Sequence, residues 1–286
     1  MESVQLVECP RDAWQGLPNF IPTATKIRYL TALLRVGFHT LDAGSFVSPK
    51  AVPQMQDTRE VLDALPWAEN PQTGILVIVV NRRGLETAAA HPAVRYIGYP
   101  LSLSETFQQQ NARQTRAEGE AFVSELVEVC QKAQKIPVVY LSMGFGNPYQ
   151  EPYSPQEVID TGGRLAEKGV SILSIADTVG IAKPEEVYEV TAAAIRSLPE
   201  VMWGVHLHAA PHEVRPKVEA AWEAGCRRFD SALGGYGGCP FAGVPLVSNI
   251  RTEILLEFLR EKGSLPPLNE EALLEAQSLL PEAFAQ

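Results

Sequence analysis

The sequence contains little cysteine. Its four cysteines, Cys9, Cys130, Cys226 and Cys239, are scattered over 286 residues, and no two of them form a Cys-x-x-Cys pair. This is too few for a disulfide scaffold in a chain of this length. We therefore expect a fold held together by a hydrophobic core, in a reducing compartment.

Long apolar runs and targeting signals are also missing. No stretch of about 18 consecutive apolar residues occurs, which excludes a predicted membrane-spanning helix. The first residues show neither a basic segment followed by an apolar one nor an arginine-rich amphipathic presequence. The sequence therefore predicts a cytoplasmic protein without a membrane partner.

Positive charge is in deficit. The chain has 24 Lys and Arg against 34 Asp and Glu, a formal net charge of −10. A nucleic-acid partner normally requires a basic face, so none is predicted. An anionic substrate is not excluded, because its binding depends on local charges and on backbone N–H groups.

Short β-rich apolar runs alternate with amphipathic helical segments along the whole chain. The predicted strands are residues 4–8, 38–43, 75–80, 94–99, 137–142, 171–176, 201–208 and 227–232. Eight such alternations predict an α/β fold, a closed (β/α)8 TIM barrel. We expect one domain over residues 1–286, with the barrel at about 4–245 and extra C-terminal helices at about 249–286.

The predicted helices between and after the strands are residues 25–35, 113–134, 155–167, 184–197, 214–224, 251–262 and 269–280. Gly37, Gly169 and Gly225 each follow a helix and precede a strand, which is the usual place for a C-terminal cap. A turn is expected at 81–84, after the third strand.

Polar residues concentrate where the predicted strands end. They are Arg11, Asp12, Asp42, Asp177, His206, His208, Cys239 and Asn249. Each of them alone could be a helix cap or a loop anchor. Because barrel enzymes use the carboxyl ends of their strands, the convergence of these residues predicts a catalytic site there.

His206 and His208 are two residues apart on a strand, so their side chains point to the same face. Together with Asp12, and with Asn249 as a further candidate, they offer nitrogen and oxygen ligands and no thiolate. Such a set favours Mg²⁺ or Mn²⁺ over structural zinc. Arg11 is suited to neutralise an oxyanion that develops beside the ion.

Cys239 lies in the segment Gly234-Gly-Tyr-Gly-Gly-Cys-Pro-Phe-Ala242. A structural cysteine more often occupies an apolar strand or helix. The surrounding glycines instead indicate a loop that brings a thiol to a substrate. The alternative is that the loop is only a flexible connection.

Several motifs together resemble the 3-hydroxy-3-methylglutaryl-CoA (HMG-CoA) lyases, which are metal-dependent barrel lyases. The motifs are Cys9-Pro-Arg-Asp12 with Gln15, the block Ser45-Phe-Val-Ser-Pro-Lys50, Asp177-Thr-Val-Gly180, His206-Leu-His208 and the Cys239 loop. The Ser45 block and the Cys239 loop are specific to the lyase branch. The similarity extends from about residue 7 to about residue 253.

This resemblance implies cleavage of HMG-CoA to acetyl-CoA and acetoacetate, a reaction of leucine degradation and ketone-body formation. It implies that Asp12, His206, His208 and Asn249 bind the metal, and that Arg11, Asp42, Asp177 and Cys239 are catalytic. Gln15, Ser45, Lys50 and Asn111 are the predicted contacts to the acyl-CoA substrate. We also expect a homo-oligomer, a dimer or a tetramer.

Three positions depart from the family pattern. Asp42 stands where a glutamate is usual, which predicts a gap of one methylene. Ala209 and Ala210 replace a usual Asp-Thr pair and remove a carboxylate beside the histidines. The stretch from Ala242 to Asn249 is one residue longer than usual.

These departures keep other functions open. One is a lyase or aldolase acting on another 3-hydroxy acyl-CoA or 3-hydroxy acid. A second is a catalytically impaired HMG-CoA lyase paralogue. A third is a barrel that has lost the reaction and serves as a binding or scaffold protein.

Overall fold

The structure is a computed structural model that describes residues 3–237 and 247–284. Parallel strands alternate with helices from the first residues described. The strands are β1 (Gln5–Glu8), β2 (Thr40–Ser45), β3 (Gly74–Ile78), β4 (Val94–Ser102), β5 (Ile136–Ser142), β6 (Ile172–Asp177), β7 (Met202–Ala209) and β8 (Arg228–Ser231). Each overlaps one of the eight predicted strands.

Each strand pairs in parallel with its neighbours in sequence, and β1 also pairs with β8. This last pairing closes the sheet into a barrel, and the predicted TIM-barrel fold is confirmed. Because all strands run in the same direction, their carboxyl ends meet at one mouth of the barrel.

Helices follow the strands on the outside of the barrel. They are α1 (Pro10–Gln15), α2 (Thr23–Val36), α3 (Thr58–Ala64), α4 (Arg82–Ala90), α5 (Glu105–Ala112), α6 (Arg116–Ala133), α7 (Pro155–Glu167), α8 (Pro184–Ser197) and α9 (Val214–Glu223). Gly37 adopts a left-handed conformation (φ 88°) after α2, as its predicted capping role requires.

The sequence prediction missed several short helices around the barrel mouth. The expected turn at 81–84 is the start of α4, where the Asn81 side chain accepts a hydrogen bond from the Gly84 N–H. The predicted helix at 113–134 corresponds to α6, which begins after Thr115 with a capping box, and the prediction missed α5, which ends at Arg113 (φ 57°).

The second described segment, residues 247–284, contains three further helices: α10 (Thr252–Glu261), α11 (Glu270–Ser278) and α12 (Leu280–Ala283). They pack back onto the barrel domain. The Asn269 N–H donates to the Val36 carbonyl at the end of α2, and the Trp14 indole N–H donates to the Ala283 carbonyl at 3.0 Å. Within residues 3–237 and 247–284, no helix is long and apolar enough to cross a membrane.

A two-residue strand, β9 (Ser248–Asn249), pairs antiparallel with the end of β7. In this pairing Asn249 lies opposite His208 and Ser248 lies opposite Ala209. The chain therefore returns to the barrel mouth after β8, and it brings Asn249 to the histidine pair.

The barrel strands also carry buried charged side chains, and Arg228 is one of them. Arg228, at the start of β8, is fully buried, and its aliphatic part lies against Gly204 of β7. Its Nη1 is 3.4 Å from the Gln5 Oε1. Its Nε and Nη2 have no hydrogen-bond partner among the described residues. A buried guanidinium with free donors lowers stability.

We therefore expect Arg228→Met to raise the free energy of unfolding by about 1–3 kcal/mol, the usual cost of a buried polar group that has no partner. Thermal denaturation measures the effect, and the exposed Arg83→Met is the control, with a change within about 0.5 kcal/mol. A lower melting temperature for Arg228→Met would contradict this expectation and would indicate enclosed solvent or an anion at the free donors.

Candidate active site

A cavity of about 410 Å³ opens at the carboxyl ends of the strands. Its volume is within the usual range for small-molecule sites. Most of the residues predicted from the sequence line it: Arg11, Asp12, Gln15, Ser45, Lys50, Asn111, His206 and His208. Polar residues from distant parts of the chain thus converge on one cavity, as expected from the barrel topology.

Asp12, His206 and His208 form a compact group at the base of this cavity. One potential ligand atom from each lies within 4.8 Å of the others, and all three residues are buried. The Asp12 Oδ2 is 3.7 Å from the His208 Nε2, too far for a hydrogen bond. Asp12 comes from α1, directly after β1, and both histidines come from the inner face of β7.

Both imidazole rings are held through their Nδ1 atoms. The His208 Nδ1 lies 3.1 Å from the Asp177 carbonyl oxygen, and the His206 Nδ1 lies 3.1 Å from the Asp230 Oδ2. With these oxygens as acceptors, each ring carries its proton on Nδ1 and presents the Nε2 lone pair. Metal-binding histidines are usually oriented in this way.

The His208 Nε2 is buried and has no hydrogen-bond partner among the described residues. A buried lone pair without a donor is costly, and a bound cation would satisfy it. Burial opposes ionisation of Asp12, but the adjacent Arg11 guanidinium lowers the pKa of this carboxyl well below its usual range. The group therefore offers one carboxylate and two imidazole nitrogens, a set that fits a divalent ion.

Asn249 lies beside this group. Its amide Nδ2 donates to the Asp12 Oδ2 and to the Tyr236 carbonyl, both at 2.9 Å. The oxygen and nitrogen of an amide exchange places by a half-turn of the group. Asn249 is thus close enough to Asp12 to act as the predicted fourth ligand, or to orient the Asp12 carboxylate.

Arg11 is fixed on two sides. Its Nε and Nη2 donate to the Asp42 carboxylate at 3.0 and 2.6 Å, and its Nη1 donates to the Asp12 Oδ1 at 3.0 Å. Burial disfavours the charged guanidinium, but the charges of Asp42 and Asp12 outweigh it and raise the pKa of Arg11. Arg11 therefore keeps its charge in the cavity wall.

Asp42 corrects one expectation. It is buried behind Arg11 and is not among the residues that line the cavity. The shorter side chain leaves no gap, because both of its oxygens contact the guanidinium. In this arrangement Asp42 positions Arg11, and the catalytic role predicted for it from the sequence stays a prediction.

The structure places Asp177 in a network that anchors a loop, and its predicted catalytic role stays a prediction. Its carboxylate accepts from the N–H groups of Ile181 and Ala182 and forms an ion pair with Lys217 at 3.0 Å. It is fully buried outside the cavity lining. The carboxylate therefore fixes the loop after β6, and the Asp177 carbonyl orients His208.

Three residues missed by the sequence prediction complete the site. Asp230, within the quoted Phe229-Asp-Ser motif, supplies the carboxylate that orients His206. Lys217 pairs with Asp177. Arg113 lines the outer part of the cavity with Lys50 and Asn111. Two features of the sequence could have identified Asp230: the motif that contains it and its position at the end of a predicted strand.

Arg113 and Lys50 add positive charge at the cavity entrance. Both are exposed, and neither side chain has an ion pair or a hydrogen bond within the described part of the chain. Arg113 also has a left-handed backbone conformation, which is uncommon for a residue other than glycine, asparagine or aspartate. Free cations at this position favour an anionic ligand.

Cys239 lies outside the described residues, so its predicted role stays a prediction. Two other cysteines in the described part, Cys9 just after β1 and Cys226 just before β8, are unsuited to that role. Cys9 is buried, and burial together with nearby carboxylates raises the pKa of its thiol well above the usual value. Cys226 is buried as well, and burial raises the pKa of its thiol to about 12. Neither favours the thiolate form that nucleophilic chemistry requires.

Comparison with known proteins assigns the family. The model of the HMGL-like family matches residues 4–279. The chain belongs to the HMGL-like family. The prediction of an enzyme related to the HMG-CoA lyases is thereby confirmed at the level of the family, as a lyase.

Two relatives of this HMGL-like chain have different reported activities. The mitochondrial hydroxymethylglutaryl-CoA lyase of Mus musculus is 30% identical over 284 residues, which cover 99% of this chain and 86% of the relative. The (R)-citramalyl-CoA lyase of Chloroflexus aurantiacus is 31% identical over 295 residues, with 98% and 90% covered.

Solved structures agree with the fold. The HMG-CoA lyase of Brucella melitensis has a TM-score of 0.91 at 31% identity, with 100% of both chains covered. The HMG-CoA lyase of Acinetobacter baumannii, in complex with coenzyme A and 3-methylmalate, has a TM-score of 0.89 at 31% identity, with 99% of this chain and 92% of that chain covered.

Proposed function

We propose that this protein is a carbon–carbon lyase dependent on Mg²⁺ or Mn²⁺ that cleaves HMG-CoA to acetyl-CoA and acetoacetate. The observation that carries the proposal is the buried Asp12–His206–His208 group beside the charged Arg11 at the base of the cavity. The activity reported for several relatives agrees with it.

Asp12, His206 and His208 would hold the cation, with Asn249 beside them. A divalent ion at this point supplies Lewis acidity toward the oxygens of the substrate and serves as a template for them. The cation also satisfies the free Nε2 of His208. Both Mg²⁺ and Mn²⁺ suit a mixed set of oxygen and nitrogen ligands.

The chemistry is a retro-Claisen cleavage. A general base takes the proton of the tertiary hydroxyl group, the carbon–carbon bond beside it breaks, and the carbinol carbon becomes the ketone of acetoacetate. The electron pair of the broken bond passes to the enolate of acetyl-CoA. Arg11, held by Asp42, stabilises the oxyanion. We assign the protonation of the enolate to Cys239, on the basis of the loop sequence.

The entrance of the cavity suits the coenzyme A part of the substrate. Lys50, Asn111 and Arg113 line it together, and the two cations have no partner among the described residues. Phosphate groups pair well with lysine and arginine side chains. We therefore assign these three residues to the coenzyme A phosphates, and Gln15 and Ser45 to the acyl group deeper in the cavity.

A second candidate substrate is citramalyl-CoA. The (R)-citramalyl-CoA lyase relative is as similar to this chain as the HMG-CoA lyases are. Its substrate has one methylene fewer between the carbinol carbon and the free carboxylate.

The predicted homo-oligomer, the cytoplasmic location and the pathway stay predictions.

The test is a coupled assay on the purified protein with HMG-CoA and with both enantiomers of citramalyl-CoA. We expect acetoacetate from HMG-CoA in the presence of Mg²⁺ or Mn²⁺ and none after treatment with a chelator. Pyruvate from citramalyl-CoA without acetoacetate from HMG-CoA would favour the second candidate. Tight Mn²⁺ binding without cleavage of either substrate would contradict both and support a binding protein.

A further inference from the structure

Lys217 is a fully buried lysine near the histidine pair that the proposed reaction does not use. It lies in α9, on the helix face toward β7, and has 0% exposure. Its Nζ contacts three oxygens: the Asp177 Oδ2 at 3.0 Å, the His208 carbonyl at 3.0 Å and the Gly180 carbonyl at 3.2 Å. All three protons of the ammonium group therefore have acceptors.

These contacts connect Lys217 to His208 by two routes. Lys217 binds the backbone carbonyl of His208 directly. It also binds the Asp177 side chain, and the Asp177 carbonyl in turn accepts the hydrogen bond from the His208 ring. One ammonium group thus fixes both the backbone position and the ring orientation of this residue.

The surrounding sequence explains why such a support is needed. Ala209 and Ala210, which follow His208, carry no polar side chain that could anchor the end of β7. His206 has its own carboxylate partner, Asp230, whereas among the described residues the His208 ring contacts a backbone carbonyl. Beside the backbone pairing with β9, the end of β7 therefore receives its polar side-chain support from Lys217 of α9.

Stability alone does not account for Lys217. Removing a lysine and a carboxylate from water is costly, and a well-packed apolar pair is often at least as stable. A direct catalytic role is not supported either, because Lys217 does not line the cavity. Its ammonium group faces the three acceptors, which belong to the ends of β6 and β7 and to the loop after β6.

We propose that Lys217 is a positioning residue that holds the His208 imidazole ready for a divalent cation. In this chain Lys217 orients His208, which the alanine side chains at 209 and 210 cannot do. The inference rests on the proposed cation site, but it does not depend on which acyl-CoA is cleaved.

The test compares Mn²⁺ binding to the metal-free wild type and to Lys217→Met, with free Mn²⁺ followed by electron paramagnetic resonance. Methionine keeps the length of the apolar stem and removes the ammonium group. Partners that orient a metal ligand typically contribute about 10- to 100-fold to metal affinity. We expect the dissociation constant for Mn²⁺ to rise by about this factor.

Lys26→Met is the matched control. Lys26 is equally buried and also pairs with a carboxylate, the Asp57 Oδ1 at 2.7 Å, and with the Gln54 carbonyl. It lies in α2 and does not line the cavity. Both variants are expected to lose stability, but only Lys217→Met is expected to lose Mn²⁺ affinity.

A second measurement reports on the ring itself. In the metal-free wild type, long-range ¹H–¹⁵N spectra should show His208 with its proton on Nδ1, as the Asp177 carbonyl requires. In Lys217→Met we expect a mixture of the two tautomers. If this variant does not fold, Lys217→Met combined with Asp177→Asn removes both buried charges, and the same loss of affinity is expected.

The inference is overturned if folded Lys217→Met, or the double variant, binds Mn²⁺ as tightly as the wild type. It is equally overturned if Lys26→Met weakens Mn²⁺ binding to the same extent, because the effect would then follow from lower stability. These results need no substrate. A protein that binds Mn²⁺ in a Lys217-dependent way but cleaves no HMG-CoA would contradict the proposed function and leave this inference intact.

Discussion

His208→Ala is expected to abolish turnover and to leave the fold intact. The His208 ring makes one hydrogen bond, to the Asp177 carbonyl, while its free Nε2 points toward Asp12. Its removal deletes a cation ligand and little else. A divalent ion contributes several kcal/mol to the stabilisation of charge in a transition state, so the rate should fall by about 10³-fold or more.

Mn²⁺ content, circular dichroism and the rate of HMG-CoA cleavage measure this effect. His91→Ala is the matched control, because His91 is also buried and contacts a carboxylate, Asp63 at 3.1 Å, but does not line the cavity. Its activity should equal that of the wild type. Full Mn²⁺ occupancy of His208→Ala together with near-normal turnover would show that His208 is not a ligand.

Asp42→Glu has the second largest expected effect. Both oxygens of the fully buried Asp42 already contact the Arg11 guanidinium, so the pair leaves no room for another methylene between them. The longer side chain would displace Arg11 from its place between Asp42 and Asp12. A misplacement of about 1 Å can reduce a rate by about 10²-fold, and we expect kcat to fall by about this factor.

Asp57→Glu controls for the general cost of lengthening a buried carboxylate, since Asp57 also pairs with a buried cation, Lys26. Its kcat on HMG-CoA should stay close to the wild-type value. A faster Asp42→Glu enzyme would mean that the site does contain a gap of one methylene. In that case the close Asp42–Arg11 pair would not be the catalytically competent arrangement.

The fold was largely predictable because its signals are local. Central parallel strands such as β3 and β5 are buried on both faces and appear in sequence as short apolar runs. Helices between the strands show amphipathic periodicity, and a glycine such as Gly37 marks the end of α2. The short helices α4 and α5 were missed, because each begins within a polar segment that is also typical of a turn.

The base of the site was predictable for a topological reason. Parallel strands bring their carboxyl ends to one mouth, so Asp12, His206 and His208 had to converge once the barrel was recognised. Two residues apart on one strand, the histidines also had to share a face. The sequence thus determined the fold, the family and the main candidate ligands.

Only the tertiary structure decided how these groups are held. Arg11 and Asp42 are 31 positions apart, and Asp177 and Lys217 are 40 apart. Whether such side chains meet depends on the angles between elements and on side-chain directions, and sequence spacing does not encode these. A lysine within a helix is usually exposed on the surface, so nothing in the sequence indicated that Lys217 is buried. The tertiary fold buries it because the inner face of α9 packs directly over the end of β7.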